Sequence, residues 1–207
     1  MHIVDGALSA PVIAVSSLAA AGGIALGLKK MPMEKIPAAG VLSATFFVAS
    51  LIHVPVGPSS VHLIMNGLAG LVLGWAAFPA LFVGLLLQAV FFGFGGLTVL
   101  GVNTLNIALP AVIVHYLCLS GVRSPSPRVA AIWGALGGGL AIALTTGFVA
   151  LALTFSGEQF AAAAKLVFLA HIPIMAIEAL LSAAAVYLAR KTKPELFGVF
   201  SAPGVVK

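Results

Sequence analysis

The chain has 207 residues, of which 61% are hydrophobic and only 7% are charged, and its formal net charge is +5. Soluble globular domains carry roughly 25% charged residues, so this composition belongs to the membrane class of proteins. The stretch from Ile36 to Val122 contains no Asp, Glu, Lys or Arg. The basic residues lie in short clusters at the ends of apolar segments, a pattern that orients membrane proteins and excludes a nucleic-acid-binding surface.

The apolar segments predict an all-α integral membrane protein, a compact bundle of about seven transmembrane helices that forms one domain over residues 1–207. A helix needs about 20 apolar residues to cross the hydrocarbon core. The connections between segments are short and rich in Gly, Pro and Ser. The predicted helices cover residues 8–28, 36–54, 60–77, 79–95, 104–121, 129–154 and 161–189.

The basic clusters predict how this bundle is oriented in the membrane. With seven spans, all of them fall on one side, which the positive-inside rule assigns to the cytoplasm. We therefore expect a multi-pass protein of the cytoplasmic (inner) membrane, with its N-terminus outside and its C-terminus cytoplasmic. A shift of the helix count by one would split the clusters across both faces. The clusters are Lys29, Lys30 and Lys35; Arg123 and Arg128; and Arg190, Lys191 and Lys193.

The first two residues can chelate a metal ion. The amine of Met1, the amide nitrogen of His2 and its Nδ1 close two fused rings, of five and six members. A metal that displaces the amide proton then sees three nitrogens in one plane, with a fourth corner open. Planar nitrogen coordination favours Ni²⁺ or Cu²⁺ and also suits Co²⁺. Taken alone, a histidine at position two is more often accidental.

Two further histidines flank a loop on the same predicted outer face. His62 is predicted to begin a helix, which would hold its backbone firmly, and it is the chosen fourth ligand. His53 is the competing candidate, or else an interfacial residue that closes the second helix. Imidazole ligands must be deprotonated, so capture of the metal should weaken in acid.

The glycine-rich loop 95–103 is expected to fold over the site. Thr98 and Asn103 are candidates for hydrogen bonds that orient the ligands. Asp5 is either another such partner, for His2, or a charge at the bilayer surface.

Glu178 is predicted to lie deep within the last helix, where an ionisable group is costly and calls for a functional hypothesis with a named partner. His171 lies seven residues earlier on the same helical face, and His115 lies at a similar depth in the fifth helix. A buried Glu178–His115 pair is the favoured interpretation over a role in metal passage.

Motifs for catalysis are absent from the sequence. It contains no Gly-x-x-x-x-Gly-Lys-[Ser/Thr] phosphate loop, no Gly-x-Ser-x-Gly and no His-Glu-x-x-His. We therefore expect no enzyme activity and no catalytic cofactor.

Several motifs together resemble the cobalt and nickel substrate-capture proteins (CbiM/NikM) of energy-coupling factor (ECF) transporters, a kind of ABC transporter. The resemblance covers nearly the whole chain. The matching motifs are Met1-His-Ile-Val-Asp-Gly-Ala-Leu-Ser9, Gly57-Pro-Ser-Ser-Val-His62, Gln88, Gly95-Gly-Leu-Thr-Val-Leu-Gly-Val-Asn103 and His171-Ile-Pro-Ile-Met-Ala-Ile-Glu178.

The resemblance implies a seven-helix subunit whose N-terminus folds into the core from outside. It implies that Met1, His2 and His62 hold the metal, although some nickel members have a histidine followed by proline where this chain has Ser-Ser-Val-His62. It also implies a membrane coupling subunit, cytoplasmic ATPases and a small accessory membrane protein as partners. The transported ion would be Co²⁺ or Ni²⁺, and the opening Val-Asp-Gly is closer to the cobalt members, which serve cobalamin biosynthesis.

Two other interpretations stay open. One is a stand-alone secondary transporter that exchanges metal for protons, with Glu178 and His171 as the relay. The other is a purely structural bundle member, for which His2→Ala would leave metal binding unaltered. A nickel-specific member of the same family is an alternative on the choice of ion.

Overall fold

In the computed structural model, the structure describes residues 2–56 and 59–199. Met1, predicted to supply the amine ligand, lies outside the described residues, as do Gly57 and Pro58. The described part contains eight α-helices and one short β-hairpin. They are α1 (Ala10–Lys29), α2 (Ile36–Ala49), β1 (Val54–Val56), β2 (Ser59–Val61), α3 (Asn66–Leu73), α4 (Ala77–Phe92), α5 (Leu100–Val122), α6 (Pro127–Thr154), α7 (Ala161–Ala170) and α8 (Ile172–Thr192).

The predicted helices differ from this arrangement at three places. The predicted helix 36–54 ends at Ala49, and Val54 already belongs to the strand β1. The predicted helix 60–77 is shortened to α3, because the residues before it form an antiparallel hairpin in which Val54 pairs with Val61. His62 therefore does not begin a helix, and the all-α prediction missed this hairpin. The predicted helix 161–189 is divided into α7 and α8 at His171. Pro173, in the first turn of α8, has no N–H to continue the ladder of hydrogen bonds from α7.

The chain reverses its direction between α3 and α4. His62, before α3, and Gly95, after α4, both lie beside His2, so the two helices run out and back. Gly74, between them, has φ 60° and ψ −126°, a backbone conformation that favours glycine.

The bundle consequently has two chemically different ends. The histidine end carries His2 and His62, and the basic end carries Lys35, Arg123 and Arg190. Backbone and side-chain hydrogen bonds fasten the segments at each end. Those at the histidine end join Ile3 to Asn103, Asp5 to Gly95 and Ser9 to Ser156; those at the basic end join Lys35 to Val72, Arg123 to Phe197 and Arg190 to Ser124.

Glycines allow α3 and α8 to approach their neighbours closely. A Cβ on Gly70 of α3 would lie 2.0 Å from the Ala111 carbonyl oxygen of α5. A Cβ on Gly138 of α6 would lie 2.6 Å from the Glu178 carbonyl oxygen of α8. Small residues at such crossings let backbones pack at short range in lipid, where van der Waals contact drives helix association. These two close contacts determine the position of α3 relative to α5 and of α8 relative to α6.

Five helical stretches of the described residues are long and apolar enough to cross a membrane. They are Ala10–Lys29, Asn66–Phe92, Leu100–Val122, Pro127–Thr154 and Ala161–Thr192. The second of these stretches contains the reversal at Gly74. Helix α2 is not among the five, because it has only 14 residues.

Candidate metal-binding site

His2 and His62 form the centre of the site. The Nδ1 atom of His2 lies 3.1 Å from the Nε2 atom of His62. The rings stack with their centroids 4.6 Å apart, and only 3% and 2% of these residues is exposed. Residues 60 positions apart in the chain are thus brought together, with the ring nitrogens facing each other.

The hydrogen bonds around Gln88 determine the tautomer of His2. Gln88 is fully buried in α4, and its Nε2 donates to the Ser50 hydroxyl and, at 3.4 Å, to the Phe47 carbonyl. Because a carbonyl can only accept, the amide nitrogen must point that way, which leaves Oε1 facing His2. The Nε2–H of His2 donates to this oxygen at 2.7 Å. A neutral His2 ring therefore carries its proton on Nε2, and Nδ1 keeps a free lone pair.

The tautomer of His62 follows from a backbone partner. Its Nδ1 lies 2.8 Å from the Leu63 carbonyl oxygen, which can only accept, so Nδ1 carries the proton. The Nε2 atom of a neutral His62 then also has a free lone pair. Both nitrogens of the 3.1 Å pair are consequently acceptors, with no proton to share. Two lone pairs that face each other in a buried site form a place for a cation.

Burial keeps both rings neutral. It lowers the pKa of His2 from 6.5 to about 4, although the hydrogen bond to Gln88 acts in the opposite direction. It also lowers the pKa of His62 from 6.5 to about 4, against the hydrogen bond to the Leu63 carbonyl. Since a metal ligand must be deprotonated, both imidazoles are in the form that binds metal near neutral pH.

The spacing of the nitrogens fits two neighbouring corners of a coordination sphere. Two nitrogens about 2.0 Å from one metal and at right angles to each other are about 2.8 Å apart, somewhat less than the 3.1 Å between the His2 and His62 nitrogens. The amide N–H of His2 points to the Ser60 hydroxyl at 3.4 Å, a long hydrogen bond. The amide hydrogen of His2 is therefore only weakly bonded. Its nitrogen and Nδ1 belong to one residue and can bind the same metal ion as a chelate.

Asn103 fastens the N-terminal segment next to these ligands. Its Oδ1 accepts from the Ile3 N–H at 2.9 Å, and its Nδ2 donates to the Ile3 carbonyl at 3.0 Å. We call this pair of bonds the N-terminal clamp. Gly95 lies against it with φ +77°, and a Cβ there would meet Asn103 Nδ2 at 2.8 Å and His2 Cβ at 3.3 Å. The glycine-rich loop thus encloses the N-terminal segment closely.

Asp5 and Thr98 do not contact the ring nitrogens of His2 or His62. The Thr98 hydroxyl donates to the Asp5 carboxylate, and both residues are exposed. Of the two interpretations of Asp5, the structure does not show the hydrogen bond to His2, because the ring nitrogens of His2 face Gln88 and His62. Asp5 also donates its backbone N–H to the Gly95 carbonyl at 2.9 Å, so it fastens the loop.

His53 lies at the rim of the site. It lines a cavity of about 160 Å³ that also borders His2, and its ring packs edge-on against Phe94 with a centroid distance of 4.2 Å. Its Nδ1 lies 3.4 Å from the Leu51 carbonyl. Of the two competing histidines, the structure therefore brings His62 against His2, and His53 borders the approach from the surface.

The predicted Glu178–His115 pair is wrong. Glu178 accepts from the Ile64 and Met65 N–H groups, whereas His115 Nδ1 is bonded to the Gly70 carbonyl at 2.9 Å and lines a cavity of about 490 Å³ at the basic end. His171 is fully buried, and its Nδ1 donates to the Val167 carbonyl at 2.6 Å. Glu178 and His171 do not hydrogen-bond to each other within the described residues.

The sequence assigned no role to Gln88 or to the Leu63 carbonyl, which determine the two tautomers. Gln88 stood only among the residues that carried the family resemblance. Over residues 2–56 and 59–199, no three His, Cys, Asp or Glu side chains converge to hold a metal.

Comparison with known proteins agrees with this chemistry. Residues 2–196 match the family described as the cobalt uptake substrate-specific transmembrane region, CbiM. The chain belongs to the CbiM family. Its members are metal transport components, and with the five membrane-capable stretches this makes the chain a multi-pass membrane protein.

Similar CbiM relatives span most of the chain. A putative metal transport protein of Haemophilus influenzae is 39% identical over 95% of this chain and 96% of its own length. The cobalt transport protein CbiM of Clostridium tetani is 31% identical over 80% of this chain and 71% of its own. The fused nickel transport protein NikMN of Rhodobacter capsulatus is 37% identical over 55% of this chain, which matches only 35% of that longer protein.

A solved structure is also similar. The crystal structure of a transition metal transporter superposes with a TM-score of 0.72 and 27% identity, covering 94% of this chain and 95% of that one. The CbiM fold described above is thus shared with a metal transporter.

Proposed function

We propose that the chain captures Co²⁺ or Ni²⁺ as the substrate-specific subunit of an ECF-type transporter. The metal binds the amide nitrogen and Nδ1 of His2 and the Nε2 of His62, and the amine of Met1 is the expected fourth donor. The observation that carries the proposal is the 3.1 Å pair of facing, unprotonated imidazole nitrogens. Gln88 and the Leu63 carbonyl keep those nitrogens available by taking the protons on the opposite edges of the rings.

The donor set bears on which metal is bound. Nitrogen donors in a plane suit ions of the later first-row series, and copper would bind at least as tightly as nickel or cobalt by intrinsic affinity. Selectivity then rests on metal availability and on the fit of the loop around the site. The opening residues favour cobalt, and the relatives include proteins named for cobalt and for nickel.

The two ends of the bundle support a seven-pass arrangement within a single domain. The α3–α4 reversal adds two crossings, α2 adds one, and α7 with α8 acts as one broken span. All three basic clusters then lie at the basic end. By the positive-inside rule that end faces the cytoplasm, so the histidine end faces outward from the cytoplasmic membrane.

Transport would require partner subunits. The sequence has no phosphate loop, and a relative that contains a similar region is named as a fused nickel transport protein. A membrane coupling subunit, cytoplasmic ATPases and a small accessory membrane protein would supply ATP hydrolysis and reorientation. The capture subunit itself carries out no catalytic reaction.

Metal titration of the purified, detergent-solubilised protein tests the ligands. We expect His2→Ala and His62→Ala each to abolish high-affinity Co²⁺ and Ni²⁺ binding measured by calorimetry. His53→Ala is the matched control, because this histidine lies at the rim, and it should retain binding. Full affinity in His2→Ala or in His62→Ala would refute the assignment.

The fourth donor has its own test. One additional residue before Met1, or acetylation of the terminal amine, should eliminate tight binding without unfolding the protein. The same extension on His2→Ala should have no additional effect. Unchanged affinity after extension would exclude the amine as a ligand.

Uptake in cells distinguishes this mechanism from secondary transport. Accumulation of radioactive metal should require the partner ATPases as well as this chain. Proton-coupled transport would continue without those ATPases. The absence of a hydrogen bond between Glu178 and His171 among the described residues gives no support to a direct relay between them.

A further inference from the structure

Glu178 makes a specific contact with the segment that carries His62. It lies in α8, is 0% exposed, and its Oε1 accepts from the Ile64 N–H at 2.5 Å and from the Met65 N–H at 2.8 Å. These amides belong to residues two and three positions after His62, at 114 and 113 positions from Glu178 in the chain. A single carboxylate oxygen thus binds two successive backbone groups in a buried place.

The segment between His62 and α3 needs such a partner. Met65 precedes α3 with φ 57° and ψ 19°, and it is the only non-glycine residue with positive φ among the described residues. A backbone conformation of this kind persists where the surroundings hold it firmly. Amide groups before and within the first turn of a helix also have no partner inside the helix, and a carboxylate there is favoured by the helix dipole. Glu178 therefore acts as a cap supplied by a different helix.

The carboxylate is carried on a rigid support. The backbone of Glu178 packs against Gly138 of α6 so closely that a Cβ on that glycine would lie 2.6 Å from the Glu178 carbonyl oxygen. Ser182, one turn later, packs against the same glycine through its Cβ, which alanine would keep and which lies 2.7 Å from the added Cβ. The α6–α8 contact thereby determines where the carboxylate sits.

We propose that Glu178 is a positioning residue for the metal site, which ties His62 to α8 through the Ile64 and Met65 amides. His62 Nε2 faces His2 only while the four residues before α3 keep this backbone conformation. The Glu178 cap holds that conformation, so α8 and the metal ligand move together. The consequence for metal affinity rests on the proposed function, whereas the hold on the segment does not.

Three variants separate hydrogen bonding from general packing. Glu178→Gln keeps an oxygen that can accept from both amides, and Oε2 has no hydrogen-bond partner among the described residues, so this variant should lose less than about tenfold in Co²⁺ affinity. Glu178→Ala removes the acceptor and should lose roughly 10- to 100-fold, the range for residues that orient metal ligands. Ser182→Ala is the matched control on the same buried face and should bind as the wild type does.

Two readouts make the outcome decisive. The visible absorption bands of bound Co²⁺ should shift in Glu178→Ala and stay in place in Glu178→Gln, because only a displaced His62 changes the ligand field. In the metal-free protein, hydrogen exchange in a peptide covering residues 62–66 should be faster in Glu178→Ala than in Ser182→Ala. If Glu178→Ala does not fold, Glu178→Asp replaces it, since the shorter side chain withdraws the acceptor.

The outcomes separate this proposal from the proposed function. Slower or unchanged exchange in Glu178→Ala, or in Glu178→Asp, would overturn the positioning role whether or not metal binds. Wild-type Co²⁺ affinity and unshifted absorption bands in the same variant would overturn it as well. A loss of Co²⁺ affinity in Glu178→Gln as large as in Glu178→Ala would also overturn it. Faster exchange in a protein whose wild type binds no Co²⁺ would support the hold on the segment and refute the metal site alone.

Discussion

Replacement of Gln88 by leucine tests whether the tautomer of His2 controls metal binding. Leucine removes the oxygen that accepts from His2 Nε2–H at 2.7 Å in a fully buried place. A buried donor without an acceptor costs about 1–3 kcal/mol, and the ring avoids that cost by moving its proton to Nδ1, where His62 Nε2 can accept it. Metal binding must reverse this change, so the affinity should fall roughly 5- to 150-fold.

The assay is a competitive Co²⁺ titration of purified wild type and Gln88→Leu, with thermal unfolding recorded in parallel. Ser50→Ala serves as the matched control, because it removes a hydrogen bond to Gln88 Nε2 while leaving Oε1 in front of His2. That variant should lose less than about tenfold, since a neutral hydrogen bond contributes about 0.5–1.5 kcal/mol. Equal affinities for Gln88→Leu and the wild type would refute the tautomer argument.

Other predictions follow from burial and close packing. Burial lowers the pKa of His2 and His62 from 6.5 to about 4, so between these pH values the unfolded chain binds more protons than the folded one. The metal-free protein should therefore lose stability as the pH falls through that range. Thermal melts measure this, and a melting temperature that depends on pH in the same way in the wild type and in the double variant His2→Ala/His62→Ala would contradict it. Gly95→Ala should weaken Co²⁺ binding more than Gly93→Ala, which has a similar positive φ and no neighbour within 4 Å, and equal calorimetric affinities would argue against close packing on His2. Asn103→Ala removes both bonds of the N-terminal clamp and should lower the melting temperature and the metal affinity together; an unchanged affinity would show that the clamp is dispensable.

The membrane class and most helix positions were predictable because they depend on composition and on uninterrupted apolar runs. The start of α3 was not. Asn66 is a residue type that often caps helices, but it lies inside α3 and its side chain donates to the Ile107 carbonyl and the Thr145 hydroxyl instead, so a capping pattern does not mark this start. The segment before it is held by Glu178, which lies more than 100 positions away. Long-range hydrogen bonds of this kind leave no periodicity in the sequence.

The site, like the fold, has features that the local sequence predicts and features that depend on long-range contacts. His2 and His62 could be proposed as ligands from the sequence because the chelate geometry of a second-position histidine is a local property, and the outer-face clustering suggested a partner. The atoms that make the two nitrogens available were not predictable in the same way. Gln88 is 86 positions from His2, and the Leu63 partner is a backbone carbonyl, which every residue has.

The choice between His53 and His62 also required the structure. Both flank the same loop, and the sequence places both on one face. The hairpin of β1 and β2 separates the two histidines, because it leads His62 to His2 and leaves His53 against Phe94.

X-ray absorption spectroscopy of the metal-loaded protein examines the ligands themselves. We predict a first shell dominated by nitrogen at about 2.0 Å, with outer-shell scattering from two imidazole rings; in His62→Ala, loaded with excess metal because its affinity is lower, the scattering should fall to that of one ring. A first shell of oxygen or sulfur, or a spectrum that His62→Ala leaves unchanged, would contradict metal capture between His2 and His62.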